Sequence, residues 1–268
     1  MSFCSLSDGR KLYFRETGSG KPLVLLHGWS MSSAVFQEVS RLLSKNFRVL
    51  APDLTGHGAS DSISHHLNLD VLATDIEEWL AQLQIDSINL LGWSLGGQVA
   101  LQLQQRNQVG IEKLILVATT PLFVETDDWS YGLAPAQVRA MDRQLQRSYE
   151  RSMSDFFGLM FAGENVNRDR YREIIRFAVR DGSLPESEVA RSGLKILSST
   201  DLRQLLAGMN LPVLVHYGSL DQITSPSACQ FLTDALPLAD GICWEGVGHA
   251  PFLSRPDESA SLWQAFLQ

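Results

Sequence analysis

Cysteine is scarce in this chain: Cys4, Cys229 and Cys243 are the only three in 268 residues. Their odd number, wide spacing and lack of any C-x-x-C exclude a disulfide framework and a zinc cluster, so buried or half-buried thiols are expected. Long apolar runs are missing too, and nothing approaches the roughly 20 residues of a membrane-spanning helix. The opening stretch MSFCSLSDGRKL has no apolar segment behind a basic flank, so no secretory leader is expected. Positive charge is in deficit, with 22 Lys and Arg against 30 Asp and Glu and a net charge of −8. That balance disfavours nucleic acid and anionic membranes as partners. Repeats and low-complexity segments are absent as well. What is present is 44% hydrophobic and 19% charged residues, enough for a sizeable core and too apolar for disorder. A soluble, cytoplasmic protein is expected.

Short runs of β-branched and aliphatic residues recur at 22–26, 47–51, 87–91, 113–118 and 212–217, with a weaker one at 241–245. Continuous apolar runs of that length suit parallel strands covered on both faces. Between them lie helix-period segments at 33–44, 69–83, 95–106, 226–235 and 256–267. The alternation predicts an α/β protein with a mostly parallel sheet flanked by helices. Residues 3–14, turning at Ser7-Asp8-Gly9, read as an antiparallel hairpin ahead of the sheet. From about 120 to 210 only helical patterns continue. A helical insertion at 121–210 is therefore expected between the two halves of one core, 1–120 and 211–268. Open α/β sheets bind ligands beyond the carboxyl ends of their strands, so an insertion leaving from that edge would form a lid.

Gly92-Trp93-Ser94-Leu95-Gly96 fits G-x-S-x-G, after a strand and before a helix. A strand turning straight into a helix crowds its own backbone, and glycines on each side remove the Cβ clash. The serine is then held out as a nucleophile. A second reading remains beside it, since serine is also a good N-cap for helix 95–106.

A serine hydroxyl needs a base, and the base an orienting acid. Only His216 and His249 follow Ser94 in the chain. His216 sits inside the apolar run PVLVHY and reads as core. His249 lies in the glycine-rich loop WEGVGHAPFL and is the expected base. Asp221 in HYGSLDQI follows strand 212–217 directly and is the expected acid; Asp201, Asp234 and Asp240 read as surface carboxylates. The backbone N–H groups of Trp29 and Leu95 are the expected oxyanion donors, with Gly28 permitting close approach. His27 and His57 read as loop braces. His65 and His66 read as surface residues without metal-ligand spacing.

On HGW at 27–29, DLTGHGASD at 53–61, GWSLGG at 92–97, GSLD at 218–221 and GHAPFLSRPDE at 248–258, the chain resembles the α/β-hydrolase superfamily over nearly its whole length. LLHGWSM, LGWSLGG, the stretch at 118–129 and GLKILSSTDLR at 193–203 resemble more narrowly the pimeloyl-[acyl-carrier protein] methyl ester esterases. The resemblance implies a triad of Ser94, Asp221 and His249, oxyanion donors at Trp29 and Leu95, and no metal or organic cofactor. It implies acyl-chain contacts from Trp29 and from the segment Phe156, Phe157, Gly158, Leu159 and Met160. It also implies docking of an acyl-carrier protein bearing the pimeloyl methyl ester on Arg151, Arg168 and Arg172. Asp155 stands where that family would place a further arginine. Small esters are the alternative substrates, and a noncatalytic ligand receptor is the alternative class.

The insertion carries its own charge signal. Arg139, Arg143, Arg147 and Arg151 recur every four residues, as do Arg168, Arg172, Arg176 and Arg180, so each series predicts one basic stripe on a helix. Residues 139–180 hold nine arginines, no lysine and six carboxylates, a local charge of +3 that leaves −11 on the remainder. Arginine suits bidentate recognition of phosphate and carboxylate, which points to an acidic partner. Solvated faces with internal ion pairs are the plainer alternative.

Overall fold

The apolar runs form a single eight-stranded sheet in the computed structural model, which describes residues 2–63, 67–180 and 183–268. Its strands are β1 (Ser2–Ser5), β2 (Lys11–Thr17), β3 (Lys21–Leu26), β4 (Phe47–Pro52), β5 (Ser87–Trp93), β6 (Gly110–Val117), β7 (Val213–Gly218) and β8 (Ala239–Trp244). Their order across the sheet is β1-β2-β4-β3-β5-β6-β7-β8. The hairpin β1–β2 and its junction with β4 are antiparallel, and the other pairings are parallel. Every residue of β7 is buried, and so are the last four of β3 and the last six of β5, as two-sided coverage requires. β8 is an edge strand with alternating exposure, which explains its weaker sequence signal. Cys243 on that edge is exposed rather than buried or half-buried as expected; Cys4 and Cys229 are buried.

Helices α1 (Gln37–Leu43), α2 (Leu69–Gln82) and α3 (Leu95–Arg106) precede β6. Between β6 and β7 the chain leaves the sheet for α4 (Pro135–Arg147), α5 (Tyr149–Leu159), α6 (Arg168–Ile174) and α7 (Ser187–Ser199). It returns for α8 (Pro226–Ala235) before β8 and ends with α9 (Pro251–Ser254) and α10 (Pro256–Leu267). Among the described residues no helix is long and apolar enough to cross a membrane.

The first arginine series does not form the continuous stripe that its spacing predicts. Ser148, at φ −153° and ψ 62°, ends α4 and opens α5, so Arg139, Arg143 and Arg147 share one helix and Arg151 begins another. Beyond α6 the chain widens into a π-helical segment at Ile175–Arg180. Arg172, Arg176 and Arg180 line one surface hollow across that change of helix type.

From β3 the chain crosses to β4 on one side, then returns to add β5 on the other. That reversal opens a crevice at the carboxyl ends of β3 and β5, where ligands of such sheets bind. The loops after β3, β5, β7 and β8 carry Trp29, Ser94, Asp221 and His249.

Candidate active site

Ser94 joins β5 to α3 at φ 55° and ψ −118°, a backbone conformation that a residue with a side chain rarely adopts. Such a conformation costs about 1–3 kcal/mol and persists only where its surroundings impose it. Here they do. A Cβ on Gly92 would lie 2.4 Å from the Gly96 carbonyl oxygen, and one on Gly96 would lie 2.2 Å from that of Leu26. Both glycines therefore serve close backbone packing. The turn is tied down further by the Ser94 N–H donating to Val117 O at 3.0 Å and by Thr119 Oγ1 donating to Ser94 O at 2.7 Å. The Ser94 hydroxyl makes no capping hydrogen bond to α3, which removes the helix-cap reading.

Asp221 and His249 meet as the sequence predicts. His249 Nδ1 lies 2.8 Å from Asp221 Oδ2, and both side chains are buried. The other carboxylate oxygen, Oδ1, accepts the N–H groups of Ile223 (2.8 Å) and Thr224 (2.9 Å), fixing the plane of the carboxylate. With Nδ1 donating to Asp221, Nε2 is left as the basic nitrogen. It is buried and has no hydrogen-bond partner among the described residues, and Ser94 Oγ makes no bond to it here. Trp93 brings the two loops together: its indole N–H donates to His249 O at 3.0 Å, one residue before the serine.

The loop after β3 approaches the serine as expected, since a Cβ on Gly28 would sit 3.1 Å from Ser94 Cβ. Among the described residues the backbone N–H groups of Trp29 and Leu95 have no acceptor, so both are free to face a developing oxyanion. His27 braces this loop: Nε2 accepts the Leu54 N–H at 2.9 Å, and Nδ1 donates to Gly28 O at 2.9 Å. His57 donates from Nδ1 to Thr55 O at 3.1 Å, and Asp53 ties the same region to the Ser33 N–H at 2.7 Å. His216 is core, accepting the Trp263 indole N–H at 3.2 Å. His65 and His66 lie outside the described residues. Asp201, Asp234 and Asp240 are exposed.

Ser94 opens into a cavity of about 50 Å³ with mainly apolar walls, including Trp29, Phe123, Phe156, Leu159, Leu194 and Ile223. Of the five residues expected there from Phe156 to Met160, only Phe156 and Leu159 reach it. They are three apart and share a helix face. Phe157 turns instead to Phe161 and Tyr171, with ring centroids 5.5 and 6.0 Å away. Gly158 also lies off the wall. Met160 is buried elsewhere, and its carbonyl accepts the His249 N–H at 2.8 Å. Glu164 Oε2 accepts the neighbouring Gly248 N–H at 2.9 Å, so the insertion clamps the histidine loop. The Trp29 indole N–H donates to Ala190 O at 2.7 Å, and Gly193 leaves room for that ring.

The α/β-hydrolase fold profile matches residues 21–256. This chain belongs to the α/β-hydrolase family. A curated relative from Nitrosomonas europaea, named pimeloyl-[acyl-carrier protein] methyl ester esterase, is 35% identical over 95% of this hydrolase and 98% of the relative's length. One of the same name from Pectobacterium atrosepticum is 34% identical over 96% and 98%. Among solved structures, an esterase from Exiguobacterium antarcticum superposes at a TM-score of 0.91 with 25% identity, covering 100% of this chain and 99% of that one. A bromoperoxidase from Bacillus anthracis superposes at 0.90 with 21% identity and 99% of each chain covered, which shows the shared fold alone.

Three parts of the hydrolase site escape a reading of motifs. Phe123, Leu194 and Leu197 line the cavity from stretches that show family likeness but no catalytic residue type. The Met160 carbonyl gave no signal, because any residue supplies one. Glu164 lies outside every motif and is one of six carboxylates in residues 139–180.

Proposed function

We propose that this hydrolase is a serine carboxylesterase that removes the methyl ester from pimeloyl-[acyl-carrier protein], releasing methanol. The observation that carries the chemistry is the buried 2.8 Å contact of His249 with Asp221, one indole away from a serine held at positive φ. The relatives' printed names support the substrate.

In this reading His249 Nε2 takes the proton as Ser94 Oγ attacks the ester carbonyl, and Asp221 stabilises the imidazolium. The Trp29 and Leu95 N–H groups hold the oxyanion. His249 then protonates the departing methoxide oxygen, which leaves as methanol, and water hydrolyses the acyl-enzyme by the same route. The apolar cavity receives the hydrocarbon of the substrate. The insertion at 121–210 acts as the lid and holds the base through Met160 and Glu164. Exposed Arg168, Arg151 (3.8 Å from Asp155) and Arg172 (3.4 Å from Asp169) form the docking face for the acidic carrier. Those two contacts are long and solvent-exposed, so the arginines give them up at little cost.

Methanol release from carrier-bound pimeloyl methyl ester tests the assignment, with a free short-chain methyl ester in parallel. Wild type should turn over the carrier-bound ester, and Ser94→Ala should lose about 10⁶ in kcat. Faster hydrolysis of the free ester would make it a general esterase. Failure of fluorophosphonate to label Ser94 would make it a receptor.

A further inference from the structure

A second, larger hollow lies between α4 and α7, about 620 Å³ against about 50 Å³ for the cavity at Ser94. Val138, Leu194 and Ser198 line both, so the two hollows lie on either side of one wall, with Ser94 on the inner side. Its rim differs in character from the cavity below. Arg139 and Arg143 reach it from α4, and Arg191 and Lys195 from α7. Arg191 is taken up by Asp142 at 2.9 Å. Arg139, Arg143 and Lys195 have no carboxylate within ion-pair distance among the described residues. Glu188 is the remaining acid in the groove, which leaves a net positive rim.

Three uncommitted cations around a groove that adjoins an apolar cavity fit a ligand with a charged end and an apolar end. The small cavity takes an ester-bearing hydrocarbon chain, and the groove is roomy enough for a polar linker. We propose that the α4–α7 groove is the substrate entrance, and that Arg139, Arg143 and Lys195 bind the phosphodiester joining a carrier protein to its acyl-bearing arm. The inference rests on the carrier-bound substrate reading and adds a subsite distinct from Arg151, Arg168 and Arg172, which face the carrier itself. Guanidinium groups suit it, because they pair phosphate oxygens through two parallel N–H donors.

The test compares three pimeloyl methyl ester thioesters: on the carrier protein, on free phosphopantetheine, and on pantetheine without phosphate. In wild type, kcat/KM should be higher with the phosphate than without, and added salt should erase that advantage. In the combined variant Arg139→Gln, Arg143→Gln, Lys195→Gln, the phosphorylated-to-dephosphorylated ratio should fall about tenfold or more, the size of a lost charge-assisted contact. Exposed side chains are changed, so unfolding midpoints verify the fold while the ratio reports the subsite. Equal kcat/KM for both small thioesters in wild type, or an unchanged ratio in the variant, overturns the inference and leaves the esterase reading standing. A wild type inactive on the carrier-bound ester overturns both.

Discussion

Lowering the pH from 7.5 to 5.5 should destabilise this fold through three histidines that take no part in the proposed chemistry. His27, His57 and His216 are buried, and the loss of hydration pushes their pKa values down to about 4, 3 and 3. An unfolded imidazole takes its proton near pH 6.5. Between about pH 6.5 and those lower values the unfolded chain holds protons that the folded chain refuses. Stability contributed by the neutral rings is therefore full above that window and is lost as pH falls through it. Allowing for partial protonation near pH 6.5, the loss between pH 7.5 and 5.5 is about 1.3 kcal/mol per ring, or about 4 kcal/mol for three. Against a usual total of about 5–15 kcal/mol, that is a large fraction. Urea unfolding at both pH values, on wild type and His216→Gln, isolates one ring. Glutamine is uncharged throughout and keeps an acceptor for the Trp263 indole, so its packing penalty cancels between the two pH values. The variant should lose about 1.3 kcal/mol less than wild type on acidification. Equal losses would refute the claim that burial keeps His216 neutral.

Three further outcomes follow from the structure. Asp221→Asn should keep the bonds from Ile223 and Thr224 but present the wrong partner to His249 Nδ1, lowering kcat about 10⁴-fold with the circular dichroism unchanged. Gly96→Ala should cost about 3 kcal/mol, because its Cβ meets the Leu26 carbonyl, whereas Gly158→Ala meets nothing within 4 Å and should stabilise α5 by about 0.5–1 kcal/mol; thermal melts of the pair check both.

Much of the core was legible because its signals are local. Helices 95–106, 226–235 and 256–267 lie where their periodicity put them, and the central strands fall within a few residues of their apolar runs. Ser94, His249 and Asp221 were legible through flanking glycines, strand ends and chain order. The insertion was harder to read. Arg139, Arg143, Arg147 and Arg151 looked like one stripe until Ser148 broke the helix. FFGLM looked like one apolar contact segment, yet a helix aims neighbouring residues about 100° apart, so Phe156 and Phe157 serve different walls. Cys243 is exposed because β8 is an edge strand, which the number and spacing of the cysteines do not reveal.

The sequence alone singled out the residues of the proposed triad, since the serine's turn, the histidine's loop and the aspartate's strand end each depend on a few adjacent residues. Tertiary structure decided what surrounds them. Only folding sets His249 against Asp221 across 28 positions, hangs the histidine loop from the Met160 carbonyl and Glu164, and brings Arg139 and Arg143 to one groove with Lys195. Backbone carbonyls carry no residue signature, and facing helices declare their partners only once they pack.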